Sequence, residues 1–134
     1  MLEILRRSPE DVELVVPASC LGKVVFASDL GRVYLDPMVG FGTTREDDLA
    51  LLASVSALAE KGRVLVGASR KRIVRTLAGE SGTDTLLGGD IAVSLWAAAN
   101  GASVVRVHDV REVAQALRVW GRLAAAGAGI EGRR

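Results

Sequence analysis

Arg63-Val64-Leu65-Val66-Gly67-Ala68-Ser69-Arg70-Lys71 changes character halfway along its length. A short valine-rich run reads as a strand over residues 63–67, and the small and charged residues behind it read as the loop into a helix. The same order of events is found on either side. Residues 32–36 and 103–107 form two further strand-like runs, closing on Asp36 in one case and on Arg106 to Asp109 in the other. Strands that alternate with helical stretches in this way mark consecutive βα units on a parallel sheet. The polar closures recur at intervals of about one βα unit. In a parallel barrel the carboxyl ends of all strands open onto one face, so these groups are expected to converge there.

The helical stretches carry their own punctuation. Thr43-x-x-Glu46 has the spacing of a capping box, and Asp47 and Asp48 complement the dipole of a first turn, which predicts a helix over 45–61. Leu49, Leu52, Val55 and Leu58 give that helix an apolar stripe, and Gly62 is expected to end it in a left-handed conformation. A short helix is expected after Ser69, broken at 79–82, and a longer one over 84–100, weakened at Gly88-Gly89 and stopped by Gly101. Asp109-x-x-Glu112 is a second capping box; its helix passes through Val113, Leu117 and Trp120 and frays towards Ala126, leaving 127–134 as a mobile tail. Trp96 and Trp120 fall within helical patterns and read as packing residues. Residues 1–30 are assigned only in part: 12–17 and 23–27 could be strands, with Asp29-Leu30-Gly31 as a turn. No repeat or low-complexity linker divides the chain, so one domain is expected, with its half-barrel over 31–126.

A chain of 134 residues can bury roughly two-thirds of its unfolded surface. Apolar residues make up 49% and aromatic ones only 4%, so the core is expected to be aliphatic. Seventeen basic residues against sixteen acidic ones, with no basic block, argue against a nucleic-acid partner. Cys20 has no second cysteine to bridge and reads as a small buried hydrophobe in a reducing compartment. Arg6, Arg7, Glu10, Asp11 and Glu13 stand where a signal peptide would be apolar, and no run approaches membrane-spanning length. A soluble cytoplasmic protein without a membrane partner is the expectation.

Asp36-Pro37-Met38-Val39-Gly40-Phe41-Gly42, then Gly67-Ala68-Ser69-Arg70-Lys71, then Arg106-Val107-His108-Asp109 are similar, in order and spacing, to three signatures of dihydropteroate synthases. Each string alone is weak; three in register over about two-thirds of the chain make a strong resemblance. It implies a (β/α)8 barrel of the TIM type, with its sixth, seventh and eighth strands represented here. The chain would then be an α/β half-barrel of parallel strands, the carboxyl-terminal half of a transferase of folate biosynthesis. That enzyme condenses p-aminobenzoate with dihydropterin pyrophosphate. Mg²⁺ would assist through the pyrophosphate, with no metal ligand from this chain.

The resemblance also assigns residues. Asp36 would accept from the pterin amino and ring N–H groups, and Lys71 would reach the pterin carbonyl between the two substrate pockets, the pair carrying the catalysis. Ser69 would lie near the aminobenzoate carboxylate, Arg70 would lay its guanidinium plane over the ligand, and Arg106 with His108 would clamp the pyrophosphate. Gly40 would let backbone approach the ligand, and Phe41 would offer a ring edge to aminobenzoate. Taken singly, each has a plainer role: Asp36 before Pro37 ends a strand, Ser69 caps a helix, His108 is structural, and 40–42 is an ordinary loop. Asp109 reads mainly as a cap.

Two positions depart from the family pattern. Met38 stands where the family usually has glycine, and Thr43 where it usually has lysine. The family's amino-terminal signatures are not recognisable before Val33, and a whole barrel takes about 250 residues. A second copy in a homo-oligomer, or a complementary amino-terminal half, is therefore the expected partner. The alternatives are a non-catalytic pterin- and anion-binding module or inactive truncated paralogue, and an inert scaffold. The pterin-binding barrel of corrinoid methyltransferases shares the pterin-facing Asp, but Ser69-Arg70-Lys71 and Arg106 to Asp109 argue against it.

Overall fold

The computed structural model describes residues 14–17, 33–82 and 86–131. Four strands, β1 (Leu14–Pro17), β2 (Val33–Asp36), β3 (Arg63–Val66) and β4 (Val104–Val105), form one sheet in chain order, with every neighbouring pair parallel. Helices α1 (Arg45–Ala53) and α2 (Val55–Ala59) join β2 to β3, α3 (Arg72–Ala78) and α4 (Leu87–Ala99) join β3 to β4, and α5 (Val110–Glu131) follows. Parallel strands laid down in order, with helical crossovers between them, are how a barrel wall grows. The expected strand at 12–17 is present as β1. The 23–27 strand, the 29–31 turn and Cys20 lie outside the described residues.

Register sorts the side chains. Tyr34 pairs with Arg63, Leu35 with Val64, Leu65 with Val104 and Val66 with Val105. Since strand side chains alternate, Val33, Leu35, Val64 and Val66 share one face, and Tyr34, Asp36, Arg63, Leu65, Gly67, Val104 and Arg106 share the other. The first face meets the helices: Val64, Val66 and Ala68 pack with Val39, Leu52, Val55, Ile73, Val74 and Ala97 in an aliphatic core. On the second face the Arg63 guanidinium lies 4.0 Å from the Tyr34 ring centroid and bonds its hydroxyl.

Several expectations shift. The box that opens α1 is built one residue later than Thr43-x-x-Glu46. Thr44 accepts from Asp47 N–H at 3.1 Å, and the Asp47 carboxylate takes the Thr44 N–H at 2.9 Å, because the Thr43 hydroxyl is engaged by buried Asp48. The helix expected over 45–61 divides at Ser54, whose hydroxyl bonds back to the Leu51 carbonyl at 2.7 Å and competes with the helical ladder. The buried stripe runs through Asp48, Leu52 and Val55, so Leu49 turns outward. Gly62 lies outside the left-handed region, whereas Gly79 and Gly101 end their helices at φ +72° and +88°. Trp96 is 52% exposed and is not a core residue, since α4 buries its Asp90, Ser94 and Ala97 side and Trp96 falls off that stripe. The last helix continues through Glu131, past Ala126, with Ala124, Ala125 and Ala126 offsetting the low helix propensity of Gly127 and Gly129.

Candidate active site

The tip of β2 is a turn held from inside. Asp36 is 8% exposed, and its Oδ1 accepts the Met38 N–H at 2.8 Å. That bond bends the chain into the left-handed region at Met38 (φ +64°), followed by Gly40 (+78°) and Gly42 (+72°). Asp48, fully buried at the start of α1, takes the Gly40 N–H at 2.7 Å and the Thr43 hydroxyl on one oxygen. Its other oxygen has no hydrogen bond among the described residues and lies 3.6 Å from the Arg72 guanidinium, which also donates to the Thr43 carbonyl. A cation thus reaches Thr43 from α3, beside a position where the family usually places a lysine.

The tip of β3 delivers Lys71 onto that turn. A Cβ at Gly40 would stand 2.9 Å from Lys71 Cδ, so the lysine stem crosses where only glycine leaves room. Its Nζ donates to the Val39 carbonyl and sits 4.2 Å from the centre of the Phe41 ring, which is 57% exposed. Burial holds the ammonium below the usual lysine range; Asp36 works against that, Arg106 adds to it, and Asp48 works against it. Lys71 therefore lies within electrostatic reach of groups from all three strand tips. Gly67 opens the same space on β3, where a Cβ would stand 2.8 Å from Arg106 Nη2, so the guanidinium of β4 lies across it.

Behind these charges is a second set of hydrogen bonds. The Ser69 hydroxyl donates to Asp90 Oδ2 at 2.6 Å and lies 2.9 Å from His108 Nδ1, while the His108 backbone N–H reaches Ser69 Oγ at 3.3 Å. Asp90 Oδ1 takes the Arg70 N–H at 3.0 Å, securing Arg70 at φ +58°. The Arg70 guanidinium pairs with the Asp109 carboxylate at 3.1 and 3.2 Å, tying the β3 loop to the β4 loop. Asp109 still stands at the head of α5, where its carbonyl accepts the Val113 N–H, but its side chain is turned to Arg70.

The structure thus gathers Asp36, Gly40, Phe41, Lys71 and Arg106 around one turn, and Ser69, Arg70 and His108 in the adjoining network. Three residues of the site were not assigned to it by sequence: Asp90 and Arg72, and Asp48, which was read only as a partner of the helix dipole. Asp48 occupies an inward position of its helix, and Asp90 is the only charged residue of α4, which is the signal that could have found it. Among the described residues no group of three His, Cys, Asp or Glu is placed to hold a metal ion. The donors at the strand tips suit an anion and do not ligate a cation. No helix among the described residues is long and apolar enough to cross a membrane.

The chain is similar to known proteins in sequence and in fold. The dihydropteroate synthase of Neisseria meningitidis serogroup C is 41% identical over 91 residues, covering 66% of this chain and 32% of the relative. Xanthomonas albilineans dihydropteroate synthase with 4-aminobenzoic acid matches at a TM-score of 0.72 and 37% identity, over 80% of this chain and 40% of that one. The same enzyme in complex with 7,8-dihydropteroate matches at a TM-score of 0.74 and 29% identity, over 91% and 59%. The chain spans about a third of the length of the curated relatives it matches. The solved structures are TIM-type barrels, and the four-stranded parallel sheet is part of such a barrel. The profile of the pterin binding enzyme family matches residues 22–108, more than half of the sequence, and this chain belongs to that family.

Proposed function

We propose that this chain supplies the carboxyl-terminal half of a dihydropteroate synthase site, where p-aminobenzoate is joined to a dihydropterin pyrophosphate. The observation that supports this best is the half-buried Lys71, within electrostatic reach of Asp36 and Arg106 from the neighbouring strands. Asp36 accepts from the pterin amino and ring N–H groups, and Lys71 directs a donor at the pterin carbonyl. Gly40 lets the turn approach the ligand, Phe41 and Ser69 border the aminobenzoate, Arg70 closes over it, and Arg106 with His108 holds the pyrophosphate. The aniline nitrogen bonds to the pterin methylene carbon as the carbon–oxygen bond to pyrophosphate breaks. The electron pair leaves on pyrophosphate, and the amine proton is lost to water. Mg²⁺ bound to the pyrophosphate would neutralise part of its charge, with no ligand from this chain.

The remaining strands of the barrel come from a second copy or from a separate amino-terminal half, and the assembly works in the cytoplasm. The test is turnover of pterin pyrophosphate and p-aminobenzoate by the chain alone and beside a supplied amino-terminal half, with native mass spectrometry of both mixtures. Product in either mixture, lost in Lys71→Ala, is the expected result. A strict monomer that makes no dihydropteroate even beside the supplied half would defeat the proposal.

A second reading, a pterin- and anion-binding module without transfer, is favoured by the convergence of Asp36, Lys71 and Arg106 within this one chain. Calorimetry with pyrophosphate, together with absent turnover, distinguishes it.

A further inference from the structure

Asp90 has no role in the proposed transfer, yet it is the only charged residue of α4 and is 2% exposed. The next helical turn helps hold its backbone, since the Ser94 hydroxyl donates to the Asp90 carbonyl at 2.7 Å. Its two carboxylate oxygens face two donors, the Arg70 N–H at 3.0 Å and the Ser69 hydroxyl at 2.6 Å. A carboxylate only accepts, so Ser69 gives its single proton to Asp90. The hydroxyl oxygen then has lone pairs alone to offer, and two groups of His108 face it: ring Nδ1 at 2.9 Å and the backbone N–H at 3.3 Å. Nδ1 must carry a hydrogen to make that bond.

We propose that Asp90 is a positioning residue that acts through Ser69 to lock His108 in the tautomer with hydrogen on Nδ1, offering Nε2 to the anion side of the site. The choice is opposite to the Nε2–H form that free histidine favours. Nδ1 keeps its hydrogen whether the ring is neutral or cationic, so every proton gained or lost passes through Nε2 and the ring needs no reorientation. What Nε2 meets rests on the proposed function; the lock itself does not.

Asparagine at position 90 should reverse the relay. The Arg70 N–H cannot turn away, so the amide oxygen must keep facing it and the amide NH₂ must face Ser69. Ser69 then accepts on that side, and its proton swings to His108 Nδ1. His108 is the single histidine of the chain, so 15N-histidine labelling of the full chain gives one ring to read. Long-range 15N–1H correlation, at a pH above the ring's titration, is expected to show the downfield, unprotonated nitrogen at Nε2 in the parent. In Asp90→Asn it should move to Nδ1, and in Ser69→Ala the two nitrogens should average. An Nε2–H ring in the parent, or an unchanged pattern in Asp90→Asn, overturns the proposal. Should Asp90→Asn not fold, an undisturbed Nδ1–H ring in Ser69→Ala overturns it equally. Neither reading requires turnover, so the lock and the enzyme proposal fail separately.

Discussion

Met38 occupies the left-handed region at φ +64°, where a side chain costs roughly 1–2 kcal/mol that glycine avoids. Part of any gain from glycine is returned as extra entropy of the unfolded chain. Met38→Gly is therefore expected to raise stability by about 1 kcal/mol, read as a higher urea midpoint at unchanged slope; a lower midpoint would mean the thioether packs better than its backbone suggests. Lys71 makes a second prediction. Its ammonium loses solvation on folding, so its folded pKa lies below that of the unfolded chain, near 10.5. The unfolded state then binds more protons between the two values, and stability rises as pH climbs through that window. Lys71→Met should abolish the rise, measured as unfolding free energies at pH values on both sides of it; an unaltered slope in the variant would assign the titration to another group. The residues behind these predictions were legible to different degrees. Met38 stood out from the family pattern, and Asp36, Lys71 and Arg106 stood out as polar groups at strand ends. The lowered lysine did not, because it depends on a stem threaded over Gly40 and on charges far away in sequence.

A capping threonine and a buried acid decide how the turn between β2 and α1 is set, and each should respond differently to truncation. Thr44→Ala removes an exposed cap and should cost about 1 kcal/mol by urea unfolding, while leaving the turn in place. Asp48→Ala would strand the Gly40 N–H and the Thr43 hydroxyl and leave the Arg72 guanidinium without its carboxylate. Its expected cost is about 3 kcal/mol, read by the same urea unfolding. Equal costs for the two variants would show that Asp48 is no keystone of the turn. The order of strands and helices was readable from the alternation of apolar runs and breakers, because each run is long enough to announce its period. The phase of α1 was not. Both Thr43 and Thr44 offer a cap, and only the burial of Asp48 selects Thr44; the same burial displaces Leu49 from the inner stripe. Periodicity counts apolar residues, and a buried carboxylate that satisfies a loop is invisible to it. Asp90 escaped notice for the same reason, although a lone charge in Leu87–Ala99 is itself unusual.

Across the whole molecule, the sheet has helices packed on one face, and the helical layer is apolar on its outside as well. Leu77 and Trp96 are more than half exposed and line a groove with Leu49 and Val93, and Val119 and Leu123 stand out from α5 beside Leu87 and Ile91. Scattered apolar residues on a surface need no explanation, but contiguous ones lined up along grooves do. If the second copy of the proposed assembly covers them, association and folding are linked, and stability must depend on protein concentration. A hundredfold rise in concentration is then worth about 2.7 kcal/mol per dimer, which shifts the thermal midpoint of protomers of this size upward by on the order of 5 °C. Trp96→Lys should remove the dependence while lowering the midpoint only slightly at the dilute end, since the side chain is half in solvent. A midpoint that stays constant over the same range would show that a single chain keeps these grooves open in solution.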